Sequence, residues 1–526
     1  MKFRKARPAQ AVSPLVGDEA VPAGATESAR LAPPQTGRQA AWNYLVFGLS
    51  KSSALITTVI VARLLDPADF GLFALALLII NFFDYLKDLG VGAALVQSPG
   101  SWKRFAPTAL TLVTATGLVA GVAVAVAAPL AASTLNQPEL TNMVRVLAIA
   151  VTISALGVLP AALLRRRLDF KRRLWPEFIA AIVKAVLTIA LAATGFGVWS
   201  LVYGQLVGTV ALTCLYWWVA RTPLKYGFDT REARQLVLYG LSVTGVTLLA
   251  FGIANVDYAV VGVRLGDTAL GLYTLAFRIP ELLVLSLCIV ISEVLFSSLS
   301  RLQHDRRHVG EHYLQVLTIV VPLTAPICVV LGAAAPAVIA TLYGSDYADA
   351  APVLSILAVY ALIHSASYHA GDVFKAIGRP GLLTATGAVK LALLIWPIWW
   401  AAGHSIVMVA VVLLLVELVP LVANMVLVRA VTGLRFTPLI AATLRPMPAA
   451  AVMALAMVGI TYVTENWPAP VQLSLAVPVG LICYLLMLRL TARGLYDQGM
   501  TVIRSLRRRS AQLAAPISTP ESGKDT

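Results

Sequence analysis

Long runs of apolar residues, separated by short polar joints, cover the chain from residue 41 to residue 491. Most runs reach the roughly 20 apolar residues that an α-helix needs to cross the hydrocarbon core of a bilayer. Because such runs leave no wide polar face for water, the pattern predicts an all-α polytopic membrane protein. The fourteen predicted spans are 41–64, 69–97, 106–130, 141–164, 174–194, 197–220, 234–262, 269–299, 312–341, 350–376, 381–402, 404–430, 443–464 and 470–491.

Composition and charge agree with this prediction. Hydrophobic residues make up 59% of the 526 and charged residues only 13%, against about 25% in a soluble domain. These values, with a mean hydropathy of +0.81, exclude a soluble enzyme, a disordered tail protein and a fibrous protein. Of the 41 Lys and Arg residues, 33 fall in the tails and alternate joints and three in the other joints, which predicts that both termini are cytoplasmic. The net charge of +15 is thereby explained without a nucleic acid partner, and anionic lipids are expected at the basic loops.

The ends and the outer joints carry little folded sequence. Residues 1–40 are rich in Pro, Ala, Gly and charge, which predicts a disordered cytoplasmic tail, and residues 493–526 form a basic cytoplasmic tail. Every predicted outer loop is short, so no domain is expected outside the membrane and any function should lie between the helices.

An internal repeat divides the spans. The segment from Arg63 to Ala76 matches the segment from Arg264 to Ala276 at a shift of 200–201 residues, or six spans. An even number of spans gives both copies the same orientation, so the repeat is parallel and places the substrate site between two lobes. We therefore predict an N-lobe (41–220), a C-lobe (221–430) and two extra helices (431–492). A weaker second match pairs Lys184 with Lys390 on equivalent helices, and Asp69 is expected to cap the second span.

Three lysines lie near the middle of predicted spans: Lys51, Lys184 and Lys390. Ionisable groups at membrane depth are costly and usually face a cavity or a partner. One interpretation is a cationic cavity for an anionic substrate, to which Arg63 and Arg264 at the outer turns of the repeat would add. The alternative is that each lysine reaches the interface or pairs with a carboxylate.

Other charged groups are candidates for coupling or gating. Asp84, Lys87 and Asp88 share one face of the second span, either as a neutralised cluster or as a functional one. Arg278 and Glu281 flank Pro280, which predicts a hinge with its own ion pair. The candidates for a coupling proton are the midspan acids Glu417, Asp257 and Glu293, for which a hydrogen-bonded neutral acid is the alternative.

The sequence offers little for metals or cofactors. His304, His308 and His312 have helical spacing, but Gly310 and the surrounding basic loop favour a solvated turn over a metal site. His364 and His369 are more typical of a packed core. We expect no metal and no cofactor, and coupling to H+ or Na+ as the energy source. A nucleotide-binding GxxxxGK[ST] motif does not occur.

Several segments resemble a known family. They are 62–73 (ARLLDPADFGLF), 88–97 (DLGVGAALVQ), 195–202 (GFGVWSLV) and 376–380 (AIGRP). They are similar to Wzx-type flippases, the polysaccharide-transporter branch of the multidrug/oligosaccharidyl-lipid/polysaccharide exporters. The resemblance implies two lobes that alternate access to a central cavity in the bacterial inner membrane. It also implies an undecaprenyl-diphosphate-linked glycan as substrate, bound by cavity cations, and a polysaccharide polymerase and a chain-length regulator as protein partners.

Three other functions remain open. A multidrug or cation exporter of a sister branch should carry a net acidic cavity, whereas midspan lysines dominate here. A membrane glycosyltransferase or polymerase would need an outer loop or domain that the short joints do not provide. A scaffold in a polysaccharide assembly complex is the third alternative.

Overall fold

The computed structural model describes residues 48, 52–97, 102–167, 169–302 and 305–494, and the predicted terminal tails lie almost entirely outside these ranges. All described residues belong to one compact unit, Val46–Thr526. Their regular structure is entirely helical, as predicted, with a π-helical turn (Glu281–Leu285) and a 3-10 turn (Ser345–Ala350). The helices are α1 (Ser52–Ala62), α2 (Pro67–Asp88), α3 (Val91–Gln97), α4 (Trp102–Thr134), α5 (Leu140–Arg166), α6 (Phe170–Ala193), α7 (Trp199–Ala220), α8 (Thr230–Pro280), α9 (Ser286–Arg301), α10 (Arg306–Ala333), α11 (Ala335–Leu342), α12 (Ala351–Tyr368), α13 (Ala370–Ala376), α14 (Pro380–Ala401), α15 (Ile406–Thr432), α16 (Phe436–Leu444), α17 (Met447–Val463) and α18 (Ala469–Thr491).

Twelve helical segments among the described residues are long and apolar enough to cross a membrane. One of them, Thr230–Arg301, has 72 residues, far more than one crossing needs, and covers the predicted spans 234–262 and 269–299. Gly266 lies between those two spans with φ 86° and ψ −176°, which is not a helical conformation. The first predicted span is described only through α1. The count of fourteen therefore stays a prediction.

The second predicted span is not one continuous helix. Span 69–97 divides into α2 and α3 because Leu89 and Gly90 both have positive φ, 43° and 64°. The left-handed backbone conformation is unfavourable for Leu89 because of its Cβ, whereas Gly90 adopts it freely. The N-cap of α2 is Asp66, so the prediction that Asp69 caps this helix is wrong; α2 begins at Pro67, whose fixed φ suits a first helical position.

The repeat predicted from sequence appears as a reciprocal contact between its two copies. A Cβ added to Gly71 would collide with the backbone carbonyl of Asp267, and a Cβ added to Gly271 would collide with that of Pro67. Each copy thus presents its glycine to the turn that begins the other copy. Only glycine allows backbones to approach this closely, which explains why both copies keep it.

A second close contact joins the predicted lobes at their predicted cytoplasmic end. A Cβ on Gly240 would collide with the carbonyl of Leu89, so α8 lies directly against the break between α2 and α3. Nearby, the buried Glu232 of α8 accepts hydrogen bonds from Arg104 Nε at 2.9 Å and Thr108 Oγ1 at 2.8 Å, both on α4. The described parts of the lobes therefore meet along α2 at both of its ends.

Candidate functional site

Lys184 lies on α6 in a recess that α7 provides. A Cβ on Gly208 would come within 2.9 Å of the Lys184 Cβ, so the glycine makes room for the lysine side chain. Gly204, one turn earlier, makes room for the Thr188 side chain, since a Cβ there would lie 1.9 Å from Thr188 Oγ1. Lys184 Nζ donates a hydrogen bond to Gln205 Oε1 at 2.5 Å. Among the described residues no carboxylate forms an ion pair with this amine, so a neutral amide holds it while its charge remains uncompensated.

Arg278 of α8, on the other predicted lobe, carries a second positive charge. It lies near enough to Lys184 for the two charges to interact unfavourably. Arg278 Nη1 forms the predicted ion pair with Glu281 Oε2 at 3.0 Å, and both side chains remain more than one-third exposed. The π-helical turn begins at Glu281, directly after Pro280, so the proline and the ion pair lie where the helix changes its winding. Lys184 and Arg278 are thus two partly exposed cations on opposite predicted lobes.

Lys390 has a different environment from Lys184. Its amine on α14 is only 7% exposed and lies 2.5 Å from Glu417 Oε2 on α15. The other oxygen of Glu417 contacts His364 Nδ1 on α12 at 2.7 Å. Of the two interpretations of Lys390, the structure shows the ion pair with a carboxylate rather than an unpaired cation, and it shows Glu417 as the paired acid. A substrate-binding role for Lys390 stays a prediction.

Asp257 is a second buried acid close to this ion pair. It is 3% exposed and accepts hydrogen bonds from Tyr273 Oη at 2.8 Å and from the backbone N–H of Tyr258 at 3.0 Å. Asp257 and Lys390 interact electrostatically although they do not touch. Tyr360 connects the groups, because its ring lies 5.7 Å from Lys390 Nζ. The C-lobe thus holds one connected polar cluster in an otherwise apolar interior.

The charged face of α2 forms a local cluster. Lys87 is buried and pairs with Asp84, and Ser154 of α5 contacts both of them, donating to Asp84 Oδ1 at 2.8 Å. Asp88 instead accepts from the backbone N–H of Gly92 at 3.3 Å across the helix break. Of the two interpretations, these contacts favour a neutralised cluster that joins α2 to α5.

The two outer arginines contact different partners. Arg63 donates to the carbonyl oxygens of Leu342 at 3.2 Å and of Thr341, at the C-terminus of α11 in the C-lobe. A cation at a helix C-terminus is favourable because the last carbonyls lack helical partners. Arg264 places its guanidinium 4.8 Å from the ring of Trp399. Arg63 therefore joins the two lobes, together with Tyr347 Oη, which donates to the Leu65 carbonyl at 2.6 Å.

Other predicted residues contribute less to this site. Lys51 and His304 lie outside the described residues. His308 pairs with Asp305 at 2.6 Å on an exposed turn, and no group of three metal-ligating side chains occurs among the described residues. Sequence reasoning missed Gln205, Ser154 and Tyr360 as partners of the charged groups. All three are polar residues within apolar runs, and this feature of the sequence could have identified them as candidates.

Comparison with solved structures defines the fold. The chain superimposes on lipid II flippase MurJ in an inward closed conformation with a TM-score of 0.70, at 14% identity over 86% of this chain and 99% of that one. An inward-facing multidrug resistance MATE family transporter of the MOP superfamily gives a TM-score of 0.60, at 16% identity over 73% and 94%. The protein is thus a multi-pass membrane protein with the fold of these transporters, as predicted, rather than that of an enzyme.

Sequence comparison then places the chain more narrowly. Residues 60–352 match the family of polysaccharide biosynthesis proteins, and the chain belongs to this family. It is 26% identical to the succinoglycan biosynthesis transport protein ExoT of Rhizobium meliloti over 91% of this chain and 97% of that protein. It is also 25% identical to the teichuronic acid biosynthesis protein TuaB of Bacillus subtilis (77% and 85% covered) and 23% identical to the lipopolysaccharide biosynthesis protein WzxC of Escherichia coli (65% and 70%). The resemblance to polysaccharide transporters is confirmed.

Proposed function

We propose that this protein flips a polyprenyl-diphosphate-linked oligosaccharide, the repeat unit of a surface polysaccharide, from the cytoplasmic to the outer leaflet. The family and the printed names of its relatives, which include a transport protein for succinoglycan biosynthesis, support a glycan substrate. The likeness to a lipid II flippase and to a MATE transporter supports transport by alternating access over catalysis.

The observation that carries the proposal is the pair Lys184 and Arg278. They lie on opposite predicted lobes, their positive charges interact unfavourably, and Lys184 has no carboxylate partner among the described residues. An anion bound near both would remove this unfavourable interaction. A diphosphate accepts charge-assisted hydrogen bonds from both an ammonium and a guanidinium, so its arrival would replace repulsion with attraction. The same contact would favour closure of the lobes around the headgroup.

Release to the outer side requires the outer contacts between the lobes to separate. These are the hydrogen bonds from Arg63 to the end of α11, the bond from Tyr347 to Leu65, and the reciprocal packing of Gly71 and Gly271. None of them is an ion pair between carboxylate and cation, and each involves a backbone group that water could satisfy after opening. The polyprenyl chain stays in lipid throughout. The bacterial inner membrane is the proposed location, and a polymerase and a chain-length regulator are the proposed partners.

Reconstituted protein tests the proposal directly. Proteoliposomes would receive a fluorescent polyprenyl-diphosphate-linked oligosaccharide, and a membrane-impermeant quencher would report which leaflet holds it. We expect the initial transfer rate to fall at least about tenfold in Lys184→Ala and in Arg278→Ala, since a hydrogen bond to a charged group contributes about 1.5–3 kcal/mol. In cells, depletion should accumulate lipid-linked repeat units in the cytoplasmic leaflet.

Arg307→Ala is the matched control. Arg307 is an exposed cation in the first turn of α10 that pairs, among the described residues, with Glu311 of the same helix, and its removal should leave transfer unchanged. Transfer at the normal rate by both Lys184→Ala and Arg278→Ala would contradict the site. Glycans of altered linkage after depletion, without accumulated precursors, would instead indicate an enzyme.

A further inference from the structure

Four ionisable side chains from four helices lie near one another in the predicted C-lobe. They are Asp257 on α8, His364 on α12, Lys390 on α14 and Glu417 on α15. Three of them are almost fully buried, whereas the His364 side chain is 23% exposed. His364 is therefore the most exposed member of this cluster.

The contacts of Glu417 argue against a metal ion at this position. One of its oxygens lies 2.7 Å from His364 Nδ1, and the other lies 2.5 Å from Lys390 Nζ. A hard cation would need several oxygen ligands that are free of other positive partners. Here the positions beside the carboxylate are already taken by an ammonium and an imidazole. The chemistry of the cluster is that of proton exchange.

Charge balance sets how many protons the cluster favours. Glu417 is paired as a carboxylate, and Asp257 accepts two hydrogen bonds. With both acids ionised, they supply two negative charges together. Lys390 supplies one positive charge. An uncompensated charge is expensive in an apolar interior, so one further proton makes the buried cluster neutral. Protonated on both ring nitrogens, His364 would donate to Glu417 and complete this balance.

We infer that His364, held between Glu417 and the protein surface, binds the proton that drives transport, with Glu417, Lys390 and Asp257 as positioning residues. The cluster would be neutral when loaded and carry one negative charge when empty. Because the charge of the cluster changes when the proton binds, conformations that expose His364 to different extents would bind the proton with different affinities. The inference rests on the proposed function, because it names the ion that powers it.

Further ionisable groups lead from His364 toward the predicted cytoplasmic end. Tyr368, one turn later, has its ring 5.7 Å from that of His364 and 5.5 Å from that of the buried His369. His369 Nδ1 lies 3.4 Å from Asp372, and Asp372 lies 3.6 Å from the half-exposed Lys375. His369 Nε2 has no hydrogen-bond partner among the described residues, which leaves it available to a mobile proton or water. Chains of such groups form proton routes in membrane transporters.

The pH response of His364 depends on all of its ionisable surroundings. The titratable or charged groups around it and its ring partners are Tyr360 and Tyr368 on α12, Asp257 and Tyr258 on α8, Glu281 on the π-helical turn, Cys288 and Glu293 on α9, Cys328 on α10, Lys390 on α14 and Glu417 on α15.

A substrate-independent measurement tests proton binding. The full chain, labelled with 15N-histidine and held in lipid nanodiscs, would be titrated by NMR. We expect one of the pH-dependent histidine signals to disappear in His364→Gln, which assigns that signal to His364. In Glu417→Gln the chemical shift of the same signal should change, because the ring loses its contact with a carboxylate. A His364 signal that does not titrate, or that is unaffected by Glu417→Gln, would overturn the inference.

The coupling is tested in the proteoliposomes described above. An outside-acid pH gradient should accelerate transfer by at least about fivefold in the wild type, the lower end of typical coupling energies. His364→Gln should lose this acceleration. His404→Gln should keep it, because His404 is exposed in the joint that follows α14 and is not part of the cluster. Size-exclusion chromatography would confirm that each variant is folded, and Glu417→Gln provides a second variant expected to lose the response.

The outcomes separate the two proposals. Full acceleration in both His364→Gln and Glu417→Gln would overturn the coupling inference, as would acceleration by a sodium gradient alone. Gradient-independent transfer by the wild type would also overturn it while leaving the proposed function intact. Absence of any transfer by the wild type would contradict the proposed function. The histidine titration would still decide whether this cluster binds a proton.

Discussion

Lys184 and Lys390, which the weaker sequence match predicts to lie on equivalent helices, have different partners. Each lysine reaches a polar side chain on a neighbouring helix, Lys184 from α6 to α7 and Lys390 from α14 to α15. In the N-lobe this partner is the neutral amide of Gln205, and in the C-lobe it is the carboxylate of Glu417. The same backbone arrangement therefore leaves one amine with an uncompensated charge and buries the other in an ion pair.

The difference shows how a repeat supports two kinds of chemistry. The partner of Lys184 is the amide of Gln205, whereas the partner of Lys390 is the carboxylate of Glu417. We infer that this difference leaves the Lys184 amine free to bind an anionic substrate, while the Lys390 amine binds a carboxylate of the protein itself. Lys184 borders the interface where Arg278 approaches, whereas Lys390 belongs to a cluster that contains its own counterions. We expect the N-lobe amine to govern substrate binding and the C-lobe amine to govern stability and coupling.

The largest expected effect follows from removing one partner of the C-lobe pair. Glu417→Leu should destabilise the protein by about 3–5 kcal/mol, because the Lys390 ammonium would stay buried without a counterion. The double variant Lys390→Met with Glu417→Leu should recover most of this loss, since two apolar side chains then pack together. Thermal unfolding in detergent would measure both variants. A single variant as stable as the double one would show that the pair is not buried as described.

A smaller effect is expected from giving the N-lobe the chemistry of the C-lobe. Gln205→Glu should form an ion pair with Lys184 and reduce transfer of the lipid-linked oligosaccharide by about tenfold or more, because the amine loses its charge-assisted contact with substrate. Thermal stability should change little, since the half-buried lysine gains a partner.

Gln205→Met is the control for this exchange. It removes the hydrogen bond without adding charge, so transfer should fall less than in Gln205→Glu. Equal transfer by the wild type and Gln205→Glu would break the assignment of Lys184 to substrate binding.

The smallest effect on stability is expected from the exposed pair of Asp305 and His308. The pKa of Asp305 lies below its usual value because it accepts hydrogen bonds from the backbone and the ring of His308. A lowered pKa means that Asp305 stabilises the fold at neutral pH and that this contribution is lost as the pH falls through its folded-state pKa. Asp305→Asn should therefore lower the Tm slightly at pH 7, and the difference should vanish in acid. A difference that persists at low pH would show that charge is not its cause.

The sequence was sufficient for the large-scale organisation. Runs of apolar residues predict membrane helices because each backbone polar group must be satisfied inside its own helix in lipid. The match between Arg63–Ala76 and Arg264–Ala276 predicted the repeat, and the reciprocal packing of Gly71 and Gly271 agrees with it. The ion pair between Arg278 and Glu281 was also predictable, since residues three apart share one helix face.

Only the tertiary structure showed which polar side chains on different helices contact each other. Nothing in the spacing of Lys184, Gln205 and Arg278, or of His364, Lys390 and Glu417, shows which side chains meet, because the rotation of each helix is set by packing. Where single residues break a helix, as Leu89 does, local preference is outweighed by contact with another segment. Apolarity along one chain thus determines what enters the membrane, whereas the charge balance of the interior arises only when several helices bring their few polar groups together.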